Sequence, residues 1–373
     1  MRVMIAAAGT GGHINPGIAI ANQIKKEESN SEILFVGTGR GLENDLVPRA
    51  GYELKKINAY GVERKFTLEN LKKLYRTWKS IKQAKKIIQE FQPDVVIGTG
   101  GYICIPVILA AHKMRIPTAL HESNAFPGIA VKLLSKKVDT VLVGFEDAKK
   151  RLPNAKKVVV TGNPTKIQKR VFSPLEIEKK RKELGLDHHK PVVLVFGGSQ
   201  GAKSINESVM EIVSQKLNQN YQIMWAVGPL QYDDVKQKLA VQNMNIEKME
   251  NAKIVPYIYQ MEEVMNLVDL VVCRSGAMTI TEVSIVGKPA IFIPFPFATE
   301  NHQEYNAKVL ESVNAARMIL DKDLNAKRLN QEIKEIISEP TLLSQMAKAA
   351  SRLAPVNVEQ KIYQEIKKIK IEK

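Results

Sequence analysis

A histidine stands among glycines near the start of the chain. Gly9-Thr10-Gly11-Gly12-His13-Ile14-Asn15-Pro16 follows the apolar run Arg2–Ala7 and precedes Ile18, Ala21 and Ile24 at helical spacing. A glycine turn between a strand and a helix leaves backbone N–H groups at the positive end of the helix dipole, where they can hold an anion such as a phosphate. The same residues also suit a tight strand-to-helix turn with no ligand. An imidazole at that helix start can take a proton from a substrate hydroxyl, or it can be a capping or core side chain.

A second glycine cluster, Gly98-Thr99-Gly100-Gly101-Tyr102, follows the strand-like Val95–Ile97 and precedes an apolar helix. Two such turns suit a diphosphate. His121-Glu122-Ser123-Asn124 ends another strand-like run and brings polar side chains to the same region, or forms a capped turn before Pro127-Gly128. Further on, Arg274-Ser275-Gly276-Ala277-Met278-Thr279 opens a helix that contains Glu282. Its amides suit an anion, and the carboxylate one turn in suits a ribose diol or complements the helix dipole. Asn301-His302-Gln303-Glu304-Tyr305-Asn306, after Pro294-Phe295-Pro296, is rich in groups that hydrogen-bond sugars.

Several chemistries are disfavoured. A dinucleotide fingerprint would put its third glycine where Ile14 stands and an acid where Gly37 closes the second strand. Gly197-Gly198-Ser199-Gln200-Gly201 has Phe196 where a first glycine is needed, and no turn has the Lys-Ser/Thr ending of a nucleotide-hydrolase loop. Asp321-Lys322-Asp323 superficially resembles a metal site, but Asp323 reads better as the N-cap of a helix starting near Leu324. His188-His189 reads as solvent-facing, and Cys104 and Cys273 lack zinc spacing. No metal ligand set emerges.

The elements that must position these residues alternate from the first residue. Arg2–Ala7, Ile33–Val36, Val95–Ile97, Thr118–His121 and Thr140–Val143 are strand-like, with helix-length segments between them. Val192–Phe196, Gln222–Ala226, Lys253–Val255, Leu270–Cys273, Ala290–Ile293 and Arg317–Leu320 repeat the scheme. The alternation implies an α/β chain of two doubly wound, Rossmann-like domains, with ligands held in a cleft between them. The turn-rich Thr161-Gly162-Asn163-Pro164 divides the chain into 1–162 and 163 onward.

At roughly 150 residues per domain, 373 residues fit two or three domains. A composition 44% hydrophobic and 25% charged excludes disorder, and two cysteines exclude a disulfide scaffold, in keeping with a reducing compartment. The first residues lack the pattern of a signal peptide, and no apolar run reaches the about 18 residues of a membrane span. The net charge of +16 calls for an anionic partner. Part of it lies in Lys65–Lys86, where Phe66, Leu68, Leu71, Leu74, Tyr75, Trp78 and Ile81 interleave with basic residues. Such a helix suits an anionic membrane surface, or it is a domain helix with its apolar stripe on the sheet. No nucleic-acid-binding motif accompanies the charge.

The order and spacing of Gly9–Gly17, Gly98–Tyr102, His121–Asn124, Gly197–Ala202, Arg274–Thr279 and the later Asn301-His302-Gln303 resemble the MurG family, the peptidoglycan N-acetylglucosaminyltransferases of glycosyltransferase family 28. The resemblance covers nearly the whole chain. It implies a GT-B fold, with residues 355–373 returning to the first domain and 163–354 binding UDP-GlcNAc. The implied reaction is an inverting, metal-independent and cofactor-free transfer of GlcNAc to the 4-hydroxyl of MurNAc-pentapeptide on undecaprenyl diphosphate. The implied place is the cytoplasmic membrane face, with the protein peripheral to it. On this resemblance His13 would be the general base, and Gly9, Gly100, Gly101 and Tyr102 would meet the acceptor diphosphate. Thr10, Gly11, Gly12, Asn124, Lys166, Ser199, Ile258, Ala277, Met278, Thr279, Glu282 and Gln303 would contact the donor, Glu282 at the ribose and Ile258 beside the uracil. The family usually has Gln where Ser123 stands, Gly where Ile105 stands, and often Arg near Lys166, departures that bear on acceptor fit and donor affinity. A UDP-sugar transferase with another lipid acceptor, or a UDP-GlcNAc 2-epimerase, is the alternative.

Overall fold

A computed structural model describes residues 1–60, 68–198 and 200–371, with the backbone alone at 68–74 and 78. The chain forms two compact units, one of Met1–Lys166 with Pro355–Lys373 and one of Ile167–Ala354. The first holds strands β1 (Arg2–Ala6), β2 (Glu32–Gly37), β3 (Glu53–Lys56), β4 (Val95–Gly98), β5 (Thr118–Glu122), β6 (Thr140–Val143) and β7 (Val158–Val160). They form a parallel sheet in the order β3-β2-β1-β4-β5-β6-β7. The second unit holds β8 (Val192–Phe196), β9 (Gln222–Ala226), β10 (Ala252–Val255), β11 (Leu270–Cys273), β12 (Ala290–Phe292) and β13 (Ala316–Met318). Its sheet is parallel in the order β10-β9-β8-β11-β12-β13.

Both sheets are covered on two faces, so their central strands are apolar apart from Arg2 at the start of β1. In β1, Val3 and Ile5 pack toward Ile14, Ile18 and the C-terminal Ile362 and Ile366. Met4 and Ala6 face Ile88, Val107 and Ile108 on the other side. The C-terminal helix Val358–Ile371 thus belongs to the first unit's core. The bond from the Tyr363 hydroxyl to Glu28 (2.8 Å) fastens it to the end of the helix Gly11–Glu27.

Sequence reasoning passed over β3 and β7, both at sheet edges. β3 reads Glu-Leu-Lys-Lys, the charged composition that keeps an exposed edge from pairing with another chain, and β7 has only three residues. Asp323 is not the N-cap expected of it: it ends a short 3-10 turn, and the Asn325 side chain caps the helix Ala326–Ile337 by accepting the Arg328 N–H. The Thr161–Pro164 turn lies inside the first unit, with Gly162 at φ +88° where a side chain would strike Pro355. Of the basic segment, residues 65–67 lie outside the described residues, as do the side chains of Leu68, Leu71, Leu74 and Trp78. In the described part, Ala84 and Ile88 are buried in the core while Tyr75 is 61% exposed beside exposed Arg76, Lys79, Lys82, Lys85 and Lys86.

Candidate functional site

In an open parallel sheet the connections leave the central pair of strands toward opposite faces, opening a crevice at the strands' carboxyl ends. The central pair is β1 and β4 in the first unit and β8 and β11 in the second. The glycine turns picked out by sequence fall at these four strand ends.

In the first unit the turns after β1 and β4 meet. Thr10 precedes the helix Gly11–Glu27 in extended conformation, and its carbonyl accepts the N–H of His13 (3.0 Å). Gly100 and Gly101 take φ of +110° and +78°, a region side chains avoid. A Cβ on Gly100 would lie 2.5 Å from the His13 Nδ1, so the imidazole is seated on this turn. The Thr99 hydroxyl donates to the His13 carbonyl (2.7 Å), closing the link from the other side. Tyr102 packs against the core beyond the turn, as does Ile105. The close approach of helix to sheet that Ile14 disallows is made one turn later, where a Cβ on Gly17 would stand 3.2 Å from Ile5 and Phe35.

The support of the first turn was not foreseen. Glu43 is fully buried, and its carboxylate accepts the Gly9 N–H on Oε2 (3.0 Å) and the Thr38 N–H (3.1 Å) and hydroxyl (2.7 Å) on Oε1. Burial works to raise its pKa, but the bonds from Gly9 and Thr38 prevail and hold it at about 2. Space is made by glycines: a Cβ on Gly37 would lie 2.8 Å from Glu43 Cγ, and one on Gly41 2.4 Å from Oε2. The signal lay in the run Gly37-Thr38-Gly39-Arg40-Gly41 ahead of an acid. Since the Gly9 N–H is given to Glu43, what Gly9 lends the site is its backbone turn, at φ +93°, rather than a donor for an anion.

At the end of β5, Glu122 holds its own turn, accepting from the Asn124 N–H (2.9 Å), the Asn124 side-chain amide (3.0 Å) and the Gly128 N–H (2.8 Å). Burial pushes its carboxyl up. His121 is buried with Nε2 3.4 Å from the Gly162 carbonyl, and burial lowers its pKa to about 4. Ser123 is buried as well, its carbonyl accepting from Asn163 (2.9 Å). Lys166 is exposed at the end of the unit.

In the second unit Gly276 precedes the helix Ala277–Val286, and the first-turn residues Met278 and Thr279 are partly exposed while Ala277 is buried. The Ser275 hydroxyl donates to the Gln303 carbonyl (2.8 Å), and the Asn306 amide donates to the Ser275 carbonyl (3.2 Å). Gln303 accepts the Phe295 N–H (3.0 Å), so two segments distant in sequence form one wall. Glu282 is partly exposed, near enough to Cys273 to add to the rise that burial causes in that thiol. Arg274 donates to the carbonyls of Ile293 and Pro294 (3.1 Å each), to Asp321, and to the Ser204 hydroxyl (3.0 Å). Asp321 is therefore the counter-ion of a loop clamp. Ile258 is buried between the exposed Tyr257 and Tyr259 after β10, and Ser199 lies outside the described residues. Asp187, His188 and His189 are exposed.

Two parallel, doubly wound units with glycine turns at their switch points define the GT-B class of glycosyltransferase folds. The family model described as "Glycosyltransferase family 28 N-terminal domain" matches residues 3–143, and the "Glycosyltransferase family 28 C-terminal domain" matches 192–365. The chain belongs to glycosyltransferase family 28. It is 45% identical, over 99% of its length and 100% of the relative's, to the UDP-N-acetylglucosamine–N-acetylmuramyl-(pentapeptide) pyrophosphoryl-undecaprenol N-acetylglucosamine transferase of Caldanaerobacter subterraneus subsp. tengcongensis. A Bacillus thuringiensis protein of the same designation is 41% identical over 99% of both chains. The crystal structure of Acinetobacter baumannii MurG superposes with a TM-score of 0.77 at 28% identity, covering 98% of this chain and 99% of that one. A putative UDP-N-acetylglucosamine 2-epimerase from Listeria monocytogenes has a TM-score of 0.69 at 15% identity, covering 100% of this chain and 97% of that one, and shares the fold.

Proposed function

We propose that this chain transfers GlcNAc from UDP-GlcNAc to the 4-hydroxyl of MurNAc-pentapeptide on undecaprenyl diphosphate, the lipid-linked step of peptidoglycan synthesis. The observation that carries the mechanism is the seat of His13 on the Gly100–Gly101 turn, beside the helix start at Gly11. There the imidazole takes the proton of the acceptor hydroxyl as its oxygen attacks the anomeric carbon. The bond to UDP breaks on the opposite side, inverting the centre. The amides of Gly12, Gly100 and Gly101 face the acceptor diphosphate, with Tyr102 beside it. Thr10, Gly11 and Asn124 meet the donor from the first unit, with Lys166 near the nucleotide.

In the second unit the amides from Gly276 to Thr279 stabilise the departing diphosphate, the role a metal plays elsewhere, at a helix N-terminus built to receive negative charge. Glu282 binds the ribose, Ile258 flanks the uracil, and Ser199 and Gln303 complete the donor contacts. No helix among the described residues is long and apolar enough to cross a membrane. The exposed face of the helix Leu68–Phe91, with Tyr75, Arg76, Lys79, Lys82, Lys85 and Lys86, supports peripheral attachment to the anionic cytoplasmic surface where the acceptor resides.

The test is UDP release by the purified protein with UDP-GlcNAc and chelator, with and without a short-chain lipid-linked MurNAc-pentapeptide. Release that depends on the acceptor, with a disaccharide product, is expected. Acceptor-independent formation of UDP-ManNAc would replace the reading with epimerisation, and turnover only with another lipid acceptor would redirect attention to Ile105 and Ser123.

A further inference from the structure

The acid that a dinucleotide-binding sheet would place at the end of its second strand is missing here, where Gly37 stands, yet a carboxylate arrives six residues later and turns inward. Glu43 spans the loop after β2 and the turn after β1: one oxygen takes the Gly9 N–H, the other both donors of Thr38. From the same helix start, the Leu42 N–H donates to the Gly9 carbonyl (3.1 Å), so the residue at φ +93° is gripped on both sides. The next residue is Thr10, whose carbonyl accepts from His13 (3.0 Å) and Ile14 (3.2 Å) and so sets where the helix begins. A shift of Gly9 therefore passes through one residue to the imidazole. Neither oxygen of Glu43 is exposed for a ligand, and three glycines at 37, 39 and 41 crowd the loop around it, where a Cβ at 37 or 41 would strike the side chain.

We infer that Glu43 is a positioning residue for transfer: its buried carboxylate locks the Gly9 turn and thereby aims His13 and the Gly11–Gly12 amides, without touching either substrate. The inference rests on the reading of His13 as the base. Because both oxygens face N–H groups, an isosteric amide must point its own N–H₂ at one of them, so Glu43→Gln preserves volume and breaks the lock.

The experiment compares wild type, Glu43→Gln and Thr38→Val by acceptor-dependent UDP release, by calorimetric UDP binding and by amide hydrogen exchange over residues 9–13. For Glu43→Gln the expected result is a fall in kcat of about tenfold to a hundredfold, the scale of a small misplacement of a reacting group. UDP affinity stays within about twofold, because the contacts proposed for the uracil, the ribose and the departing diphosphate, at Ile258, Glu282 and the Gly276–Thr279 amides, lie in the other unit, and exchange over 9–13 accelerates. Thr38→Val removes the 2.7 Å bond to Glu43, together with the 3.3 Å bond that the hydroxyl accepts from the Arg40 N–H, and is expected to lower kcat about twofold to fivefold with the same split. A Glu43→Gln enzyme with wild-type kcat overturns the inference, as does a loss of kcat with unchanged exchange over 9–13, or an equal loss of UDP affinity. Should Glu43→Gln fail to fold, Thr38→Val decides: unchanged kcat and exchange overturn the inference. Absence of transfer by the wild type defeats the functional reading instead, while the exchange comparison still judges the lock.

Discussion

The two units make the same strand-turn-helix unit at their switch points and hold it with different groups. After β1 the turn hangs on a buried carboxylate, Glu43, and carries a histidine seated on a second glycine turn. After β11 the turn is held through hydroxyl and amide groups of Ser275 and Asn306, beside the guanidinium of Arg274. The carboxylate fixes the backbone from which the imidazole projects. The guanidinium is spent on Asp321 and on the carbonyls of Ile293 and Pro294, so the positive potential that a leaving diphosphate needs falls to the amides of the helix start. Geometry alone does not distinguish the two turns. The side chains that hold them do: a buried carboxylate that accepts N–H groups in the first unit, hydroxyl and amide donors in the second.

The largest test of this division is His13→Ala, expected to lower kcat about a thousandfold, within the range for loss of a general base, while calorimetric UDP affinity changes less than about twofold. A comparable loss of UDP affinity would erase the distinction between the units. Next comes acid. His121 has its pKa lowered to about 4 by burial, so between pH 6.5 and 4 the unfolded chain takes up a proton that the folded first unit refuses. Stability is full above that window and falls through it by about 3 kcal/mol from this group. Glu43, held at about 2, extends the loss below its unfolded value of 4.5, whereas Glu122, pushed up, works in the opposite sense. Urea unfolding at pH 7 and pH 4.5 should show a smaller drop for His121→Gln than for wild type; an equal drop would remove His121 as its source.

Arg274→Gln strands Asp321 and frees the loop after β12, which should destabilise the second unit by about 2 kcal/mol and raise the donor KM about tenfold with kcat little changed. A fall in kcat without a KM change would contradict the role given to the second turn. Gly100→Ala is the mildest: its Cβ would meet the His13 ring at 2.5 Å from Nδ1, and kcat should fall about tenfold at unchanged UDP affinity. Full activity would mean that the ring position over this turn does not matter.

Much of the fold could be read from periodicity. The central strands, such as Val192–Phe196 and Leu270–Cys273, are apolar runs between turn residues, the composition that burial on both faces favours. The edge strand Glu53–Lys56 escaped because an edge needs no apolar face and is safer charged. The helix start at Asn325 was misplaced to Asp323 because both are good caps, and only the path of the chain selects between them. At the site, the glycine turns and His13 were legible since backbone conformations with positive φ and a titratable ring leave marks in residue type.

The residue types along the chain thus settled the α/β class, the two parallel sheets and the glycine turns at their strand ends, because local periodicity and backbone allowance act within a few residues. The seat of His13 on Gly100, the turning inward of Glu43 toward Gly9, the burial of His121, and the service of Asp321 to Arg274 emerged with the packed fold. Each joins residues tens of positions apart, and whether a carboxylate or imidazole meets water, an anion or a backbone N–H depends on which strands become neighbours, a choice that no local pattern records.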